Sequence, residues 1–190
     1  MILFLDNFDS FTFMLVDYFH QLGLEVVVKK NNKISCDEIA AMQPQAIVLG
    51  PGPNTPKDSG VMLQVVERFH QTIPLLGICL GHQAIGEFFG ATLIKAEKPL
   101  HGKTSAIFHH QHFIFQNIFS PFDAMRYHSL ILKNVEQTVL QIICKTVDDE
   151  VMGIAHPTLP IVGLQFHPES ILTKNGLQIL KNWKEKMQLN

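Results

Sequence analysis

The chain has 190 residues, of which 46% are apolar and only 17% charged, and fifteen Lys+Arg against seventeen Asp+Glu leave a formal charge of −2. That length fits one domain over residues 1–190 with a real core, and the near-neutral balance excludes a strongly basic nucleic-acid or membrane-surface protein and a disordered chain. Three cysteines, Cys36, Cys79 and Cys144, with no CxxC pair among them, argue against a disulfide framework or cysteine-rich zinc site and for a reducing cytoplasm.

Ile2 to Leu5 reads as a short buried strand, and it runs into Asp6 and Asp9 too soon to be a signal peptide. No stretch approaches the ~18 apolar residues of a membrane span. Phe11, Met14, Leu15, Tyr18, Phe19 and Leu22 fall at helical spacing, with Asp9 or Ser10 as the expected cap and Gly23 as the expected stop. A second strand is expected over Glu25 to Val28, then a short helix ending near Met42, then a third strand, Ala46 to Leu49, leading into the loop Gly50-Pro51-Gly52-Pro53. A helix carrying Met62, Val65, Val66 and Phe69 on one face precedes the strand Leu75 to Cys79. Strands alternating with helices predict βαβ units and a parallel sheet. After Ala91 the pattern changes to β-rich runs, Thr104 to Phe108, Leu140 to Thr146, Val151 to Ala155 and Ile161 to Phe166, which predict an antiparallel or mixed extension. A last amphipathic helix carries Leu177, Leu180, Trp183 and Met187. The fold class expected is α/β: an open, mostly parallel sheet flanked by helices, of flavodoxin-like type, with a mixed C-terminal half.

Gly77-Ile78-Cys79-Leu80-Gly81 stands where a buried strand should turn into a helix beginning near His82. A nucleophile raised on so sharp a turn needs small residues two positions to either side. The same turn places the sulfur at a helix N-terminus, which favours thiolate over thiol, and aims the Leu80 N–H at a bound carbonyl oxygen. An unpaired cysteine is otherwise a buried small hydrophobe, the reading kept for Cys36 and Cys144. His167-Pro168-Glu169 would supply a base and its orienting carboxylate. Pro168 disfavours helix at His167, so residues 167 and 169 share one side of an extended segment. A capping glutamate beside a surface histidine is the alternative. Gly52 lies in a proline-stiffened loop at the carboxyl edge of the sheet, where it allows close backbone approach to a ligand, or simply makes a rigid turn. Within His109-His110-Gln111-His112, an extended segment would put His110 and His112 on one face without a third ligand, so no metal site is expected.

The blocks Gly50-Pro51-Gly52-Pro53, Gly77-Ile78-Cys79-Leu80-Gly81-His82-Gln83 and Gln165-Phe166-His167-Pro168-Glu169-Ser170 resemble the three signature blocks of the class I, triad-type glutamine amidotransferases. Asp6-Asn7-Phe8-Asp9-Ser10-Phe11-Thr12, His101-Gly102-Lys103-Thr104-Ser105 and Arg126-Tyr127-His128-Ser129-Leu130 resemble one branch, the glutaminase subunits (component II) of anthranilate synthase and aminodeoxychorismate synthase. The resemblance implies Cys79 as nucleophile, His167 as base and acid, Glu169 as orienter, and the N–H groups of Gly52 and Leu80 as oxyanion hole. It also implies Gly52, Gln83, Ser129 and Leu130 as glutamine-binding positions. It implies L-glutamine as substrate, no cofactor in this subunit, and a component I partner that binds chorismate with Mg²⁺. Met14, Gly50 and the turn His110-Gln111-His112 depart from the family's usual residues. The competing functions are a stand-alone γ-glutamyl thiol hydrolase and a non-catalytic, flavodoxin-like binding subunit.

Overall fold

The computed structural model describes residues 1–190. Its first half winds as the alternation predicts: β1 (Ile2–Asp6), α1 (Thr12–Gln21), β2 (Val26–Lys30), α2 (Cys36–Met42), β3 (Ile47–Leu49), α3 (Met62–Phe69), β4 (Leu75–Ile78) and α4 (Leu80–Phe88). β1 pairs in parallel with both β2 and β3, and β3 with β4. All five residues of β1 are buried, as expected of a strand covered by helices on both faces. Its period-2 alternation divides the core: Ile2 and Phe4 pack with α1 residues Leu15 and Phe19, whereas Leu3 and Leu5 join Val65 and Val66 of α3 on the other face.

The second half comprises β5 (Thr92–His109), β6 (Phe122–Lys133), β7 (Gln141–Thr146), β8 (Val151–Ala155), β9 (Ile161–Leu164) and α5 (Gly176–Lys186). One nine-stranded sheet runs β2-β1-β3-β4-β9-β8-β7-β5-β6. β9 lies parallel to β4, and every pairing beyond it is antiparallel. Thus the sheet is mixed, its parallel part formed by the first four strands and β9. Trp183 of α5 is fully buried with its ring edge-on to Phe19 at 6.0 Å between centroids, so the last helix closes the face that α1 opens. No helix is long and apolar enough to cross a membrane.

Several local expectations are revised. Asp9 does not cap α1 from the preceding position. Phe11 stands there, and the Asp9 carboxylate accepts the Phe11 N–H at 2.8 Å while Asp6 accepts the Thr12 hydroxyl. Gly23 ends the turn after α1 with φ +77°, as its missing Cβ allows. β5 is far longer than the expected Thr104–Phe108 and is exposed along most of its length on both faces, with only Ala96 and Ile107 buried, which leaves it no apolar period; β6, whose burial alternates only in part, is new. The histidine cluster does not continue an extended strand. Gln111 adopts φ +51°, His112 precedes a short 3₁₀ turn, and His109 stacks on Phe115 at 4.7 Å, so His110 and His112 share no strand face.

Candidate active site

Cys79 follows directly on β4 and has φ 52°, ψ −98°, a strained conformation for a residue with a side chain. α4 begins at Leu80 rather than near His82, because Cys79 itself makes the turn. The Cys79 N–H donates to the Leu164 carbonyl at 2.8 Å, tying the elbow to β9. Its flanking glycines are required by contact: a Cβ at residue 77 would lie 2.5 Å from the Gly81 carbonyl, and one at residue 81 would overlap the Leu49 carbonyl oxygen of β3. Strand-to-helix proximity, and not turn flexibility alone, therefore selects both glycines.

β9 ends beside this elbow and delivers Gln165, His167 and Glu169. Gln165 donates to the Cys79 sulfur at 3.5 Å and accepts from Gln83 at 3.1 Å. Glu169 Oε1 holds His167 Nδ1 at 2.6 Å, and both residues are about 1% exposed. The His167 N–H donates to the Met125 carbonyl of β6, and the Thr173 hydroxyl donates to the His167 carbonyl at 2.7 Å. Phe11 packs on the imidazole at 5.1 Å between ring centroids. Burial alone would lower the His167 pKa, but the Cys79 sulfur and the Glu169 carboxylate outweigh it and raise it well above the histidine range. The imidazole is thus set to carry a proton beside the Cys79 sulfur.

Above the sulfur lies a cavity of about 540 Å³ lined by Gly52, Gln83, Ser129 and Leu130 together with Cys79 and His167. Gln83 also donates to the Leu130 carbonyl at 3.1 Å, linking α4 to β6. The Gly52 backbone lies close over the elbow, where a Cβ would meet Asn7 at 2.5 Å and Leu80 at 2.9 Å. Of the residues expected from sequence, Gly52, Cys79, Gln83, Ser129, Leu130 and His167 line this cavity, while Glu169 lies behind His167 and Leu80 directly follows Cys79.

The Glutamine amidotransferase class-I family matches residues 3–187. The chain belongs to the class I glutamine amidotransferases. It is 46% identical over 189 residues to anthranilate synthase component 2 of Pseudomonas aeruginosa, with 96% of this chain and 94% of the relative covered. It is 45% identical over 186 residues to aminodeoxychorismate/anthranilate synthase component 2 of Bacillus subtilis, with 97% and 96% covered. The crystal structure of a Thermoplasma acidophilum protein described as a candidate component of GMP synthase superposes with a TM-score of 0.87 at 25% identity, covering 98% of this chain and 93% of the other.

Other features of this amidotransferase give little or no signal in the sequence. Asn7 donates to the Gly50 carbonyl at 2.8 Å and accepts from Asn31 at 2.9 Å, which fixes the glycine-proline loop. Glu150, beyond the end of β7, accepts from Arg126 and pairs with His128 at 2.8 Å beneath the cavity wall. Burial opposes the Glu150 charge, but these two partners still hold its pKa below the carboxylate range. Nothing local to Glu150 reveals that pairing, which depends on the register of the β7 and β8 hairpin.

Glu169→Gln retains an acceptor for His167 Nδ1 and loses the charge that favours imidazolium. Its glutamine-dependent kcat is expected to fall, but about a hundredfold less than in His167→Ala, because the hydrogen-bond acceptor on the imidazole is kept. Steady-state kinetics on the two variants check the ranking, and equal losses would assign Glu169 a direct chemical role.

His82, fully buried in α4, is a second titration point. Burial, only partly offset by the Gly163 backbone, pushes its pKa down to about 3. Because the folded value is depressed and the neutral form is the one buried, stability is intact above about pH 6.5 and drains as pH falls toward 3, while only the unfolded chain takes the proton. At pH 4.5 the loss from this residue is about 3 kcal/mol, from two pH units at about 1.4 kcal/mol each. Denaturant melts of the wild type and His82→Gln at pH 7 and 4.5 should show the shallower acid loss in the variant; parallel losses would refute it.

Proposed function

We propose that this chain is the glutaminase subunit of a two-component complex that aminates chorismate. The observation that carries the reading is the buried Cys79, His167 and Glu169 constellation at the base of a cavity walled by Gln83, Ser129 and Leu130. The Cys79 thiolate attacks the side-chain amide carbon of L-glutamine, and the oxyanion that forms is held by the Leu80 and Gly52 N–H groups. As the C–N bond breaks, His167 passes its proton to the leaving nitrogen, and ammonia departs. His167 then takes a proton from water, which attacks the γ-glutamyl thioester to release glutamate and return the thiolate. No cofactor takes part in this subunit.

Ammonia free in neutral water is protonated and ceases to be a nucleophile, so it must pass directly to a second active site. The component I partner would provide that site, bind chorismate and hold the Mg²⁺. Free cysteines and a chorismate-using partner together favour the cytoplasm. The relatives carry the names of both anthranilate and aminodeoxychorismate synthases, and the Bacillus subtilis relative carries both at once. That supports service to either product or to both.

Reconstitution decides the matter. The chain is mixed with an anthranilate-type or an aminodeoxychorismate-type component I, chorismate, Mg²⁺ and glutamine, and glutamate release and aminated product are quantified. One glutamate per product is expected with at least one partner. No glutamate with either would leave a binding subunit, and full turnover without any partner would indicate a stand-alone hydrolase.

A further inference from the structure

We infer that His101 is a positioning residue for the substrate, acting through the Ser129 hydroxyl. The inference rests on the glutaminase reading and adds to it a residue outside the triad and outside the glutamine-binding set.

β5 and β6 pair with Leu100 opposite His128 and His101 opposite Tyr127, after which a bulge at Gly102 shifts the register to Lys103 opposite Arg126. Gly102 takes φ +69°, the left-handed conformation that lets one strand carry an extra residue and re-aim its neighbour. In an antiparallel pair, the residue two beyond the direct partner lies diagonally across the same face, within reach of a long side chain. For His101 that diagonal neighbour is Ser129, and the two meet: His101 Nε2 lies 2.9 Å from Ser129 Oγ, the only hydrogen-bond partner of that hydroxyl. The imidazole is held in place from the side, with its ring 4.9 Å from that of Tyr127. All three residues line the cavity that contains Cys79.

A serine hydroxyl has one proton to give and two lone pairs to receive with. His101 is assigned the tautomer protonated at Nε2, whose N–H donates into one lone pair; the Ser129 proton then has no competing acceptor and is directed at the amino-acid end of glutamine, where the α-carboxylate accepts it in a charge-assisted bond. A hydroxyl that itself accepts a hydrogen bond is also polarised into a better donor. Without the imidazole the hydroxyl rotates freely, and that ordering must occur upon binding. The interaction is made to a part of glutamine that does not change during amide cleavage, so its loss weakens ground state and transition state alike.

Glutamine kinetics of the complex with component I test this in wild type, His101→Ala, His101→Gln, Ser129→Ala and the double variant His101→Ala/Ser129→Ala. The expected result in His101→Ala is a glutamine KM raised about tenfold with kcat within about twofold, the signature of lost uniform binding. His101→Gln, whose amide N–H can stand where Nε2–H stood, should recover most of the loss. In the Ser129→Ala background, His101→Ala should add nothing. An unchanged KM in His101→Ala, or an undiminished effect in the Ser129→Ala background, would overturn the inference; the latter would reduce His101 to a strand-packing residue. A wild-type complex that released no glutamate would instead overturn the glutaminase reading itself.

Discussion

Cys79→Ala is expected to abolish glutamine-dependent product formation by the assembled complex, with a fall in kcat of about 10⁴-fold or more, while synthesis driven by ammonium salts continues. Removing a covalent nucleophile forces amide cleavage back into a single difficult step, and what survives is only binding and oxyanion stabilisation. The substitution leaves the fold intact because the elbow is held by backbone: the residue 79 N–H to Leu164, and the close approach of Gly77 to Gly81. Alanine accepts φ 52° no worse than cysteine does. The ammonium arm is therefore an internal control for folding and assembly. Retained glutamine use, with glutamate and product still formed in step, would remove Cys79 from the mechanism. Loss of both activities would show that the sulfur supports the structure instead. His167→Ala should match the Cys79→Ala loss, since nucleophile and base act on the same proton and their contributions are not additive.

How far the sequence reveals this site depends on the range of the interactions that build it. The elbow is legible because its requirement is local: Gly77 and Gly81 flank Cys79 at fixed spacing, and the clash each avoids lies between β4, α4 and β3, a βαβ arrangement that alternating strands and helices already predict. Likewise His167 and Glu169 lie two residues apart, and their hydrogen bond needs only the extended backbone that Pro168 favours. The meeting of Cys79 with His167 is not local. It requires β9 to insert beside β4 in parallel after four antiparallel strands, a choice that no periodicity in Ile161–Leu164 encodes. Only the joint spacing of three blocks makes it readable. The long β5 and β6 pair escapes notice for a different reason. The Lys, Glu, His and Gly residues of β5 are mostly exposed, on both faces of the strand, and pairing with β6 overrides their weak strand preference. Since Ser129, Leu130 and His101 all lie on that pair, the substrate half of the site is less legible than the triad half.

Gly176→Ala should be the most damaging single-methyl change near the triad, though the residue lies in no signature block and begins a helix where alanine is intrinsically favoured by about 1 kcal/mol. A Cβ there would overlap the Pro168 carbonyl oxygen and sit 2.6 Å from its carbon. Both sides are anchored. Pro168 stands between His167 and Glu169, whose backbone is pinned by the His167 N–H to Met125 and by Thr173, which donates to the His167 carbonyl and accepts from the Met125 N–H at 2.9 Å. On the other side, α5 is anchored by Ile179, Leu180 and Trp183, all fully buried. Relief must come from displacing one of these, and overpacking against backbone costs about 3 kcal/mol, more than the helix preference returns. If the histidine segment is the one to move, a shift of about 1 Å at His167 lowers kcat by about a hundredfold. Thermal melts and glutamine kinetics together read both routes, because the displaced partner is either α5, which lowers the midpoint, or the triad, which lowers kcat. A variant with wild-type midpoint and wild-type turnover would show that α5 does not press on the catalytic segment, and that Glu169 and His167 are held by their own hydrogen bonds alone.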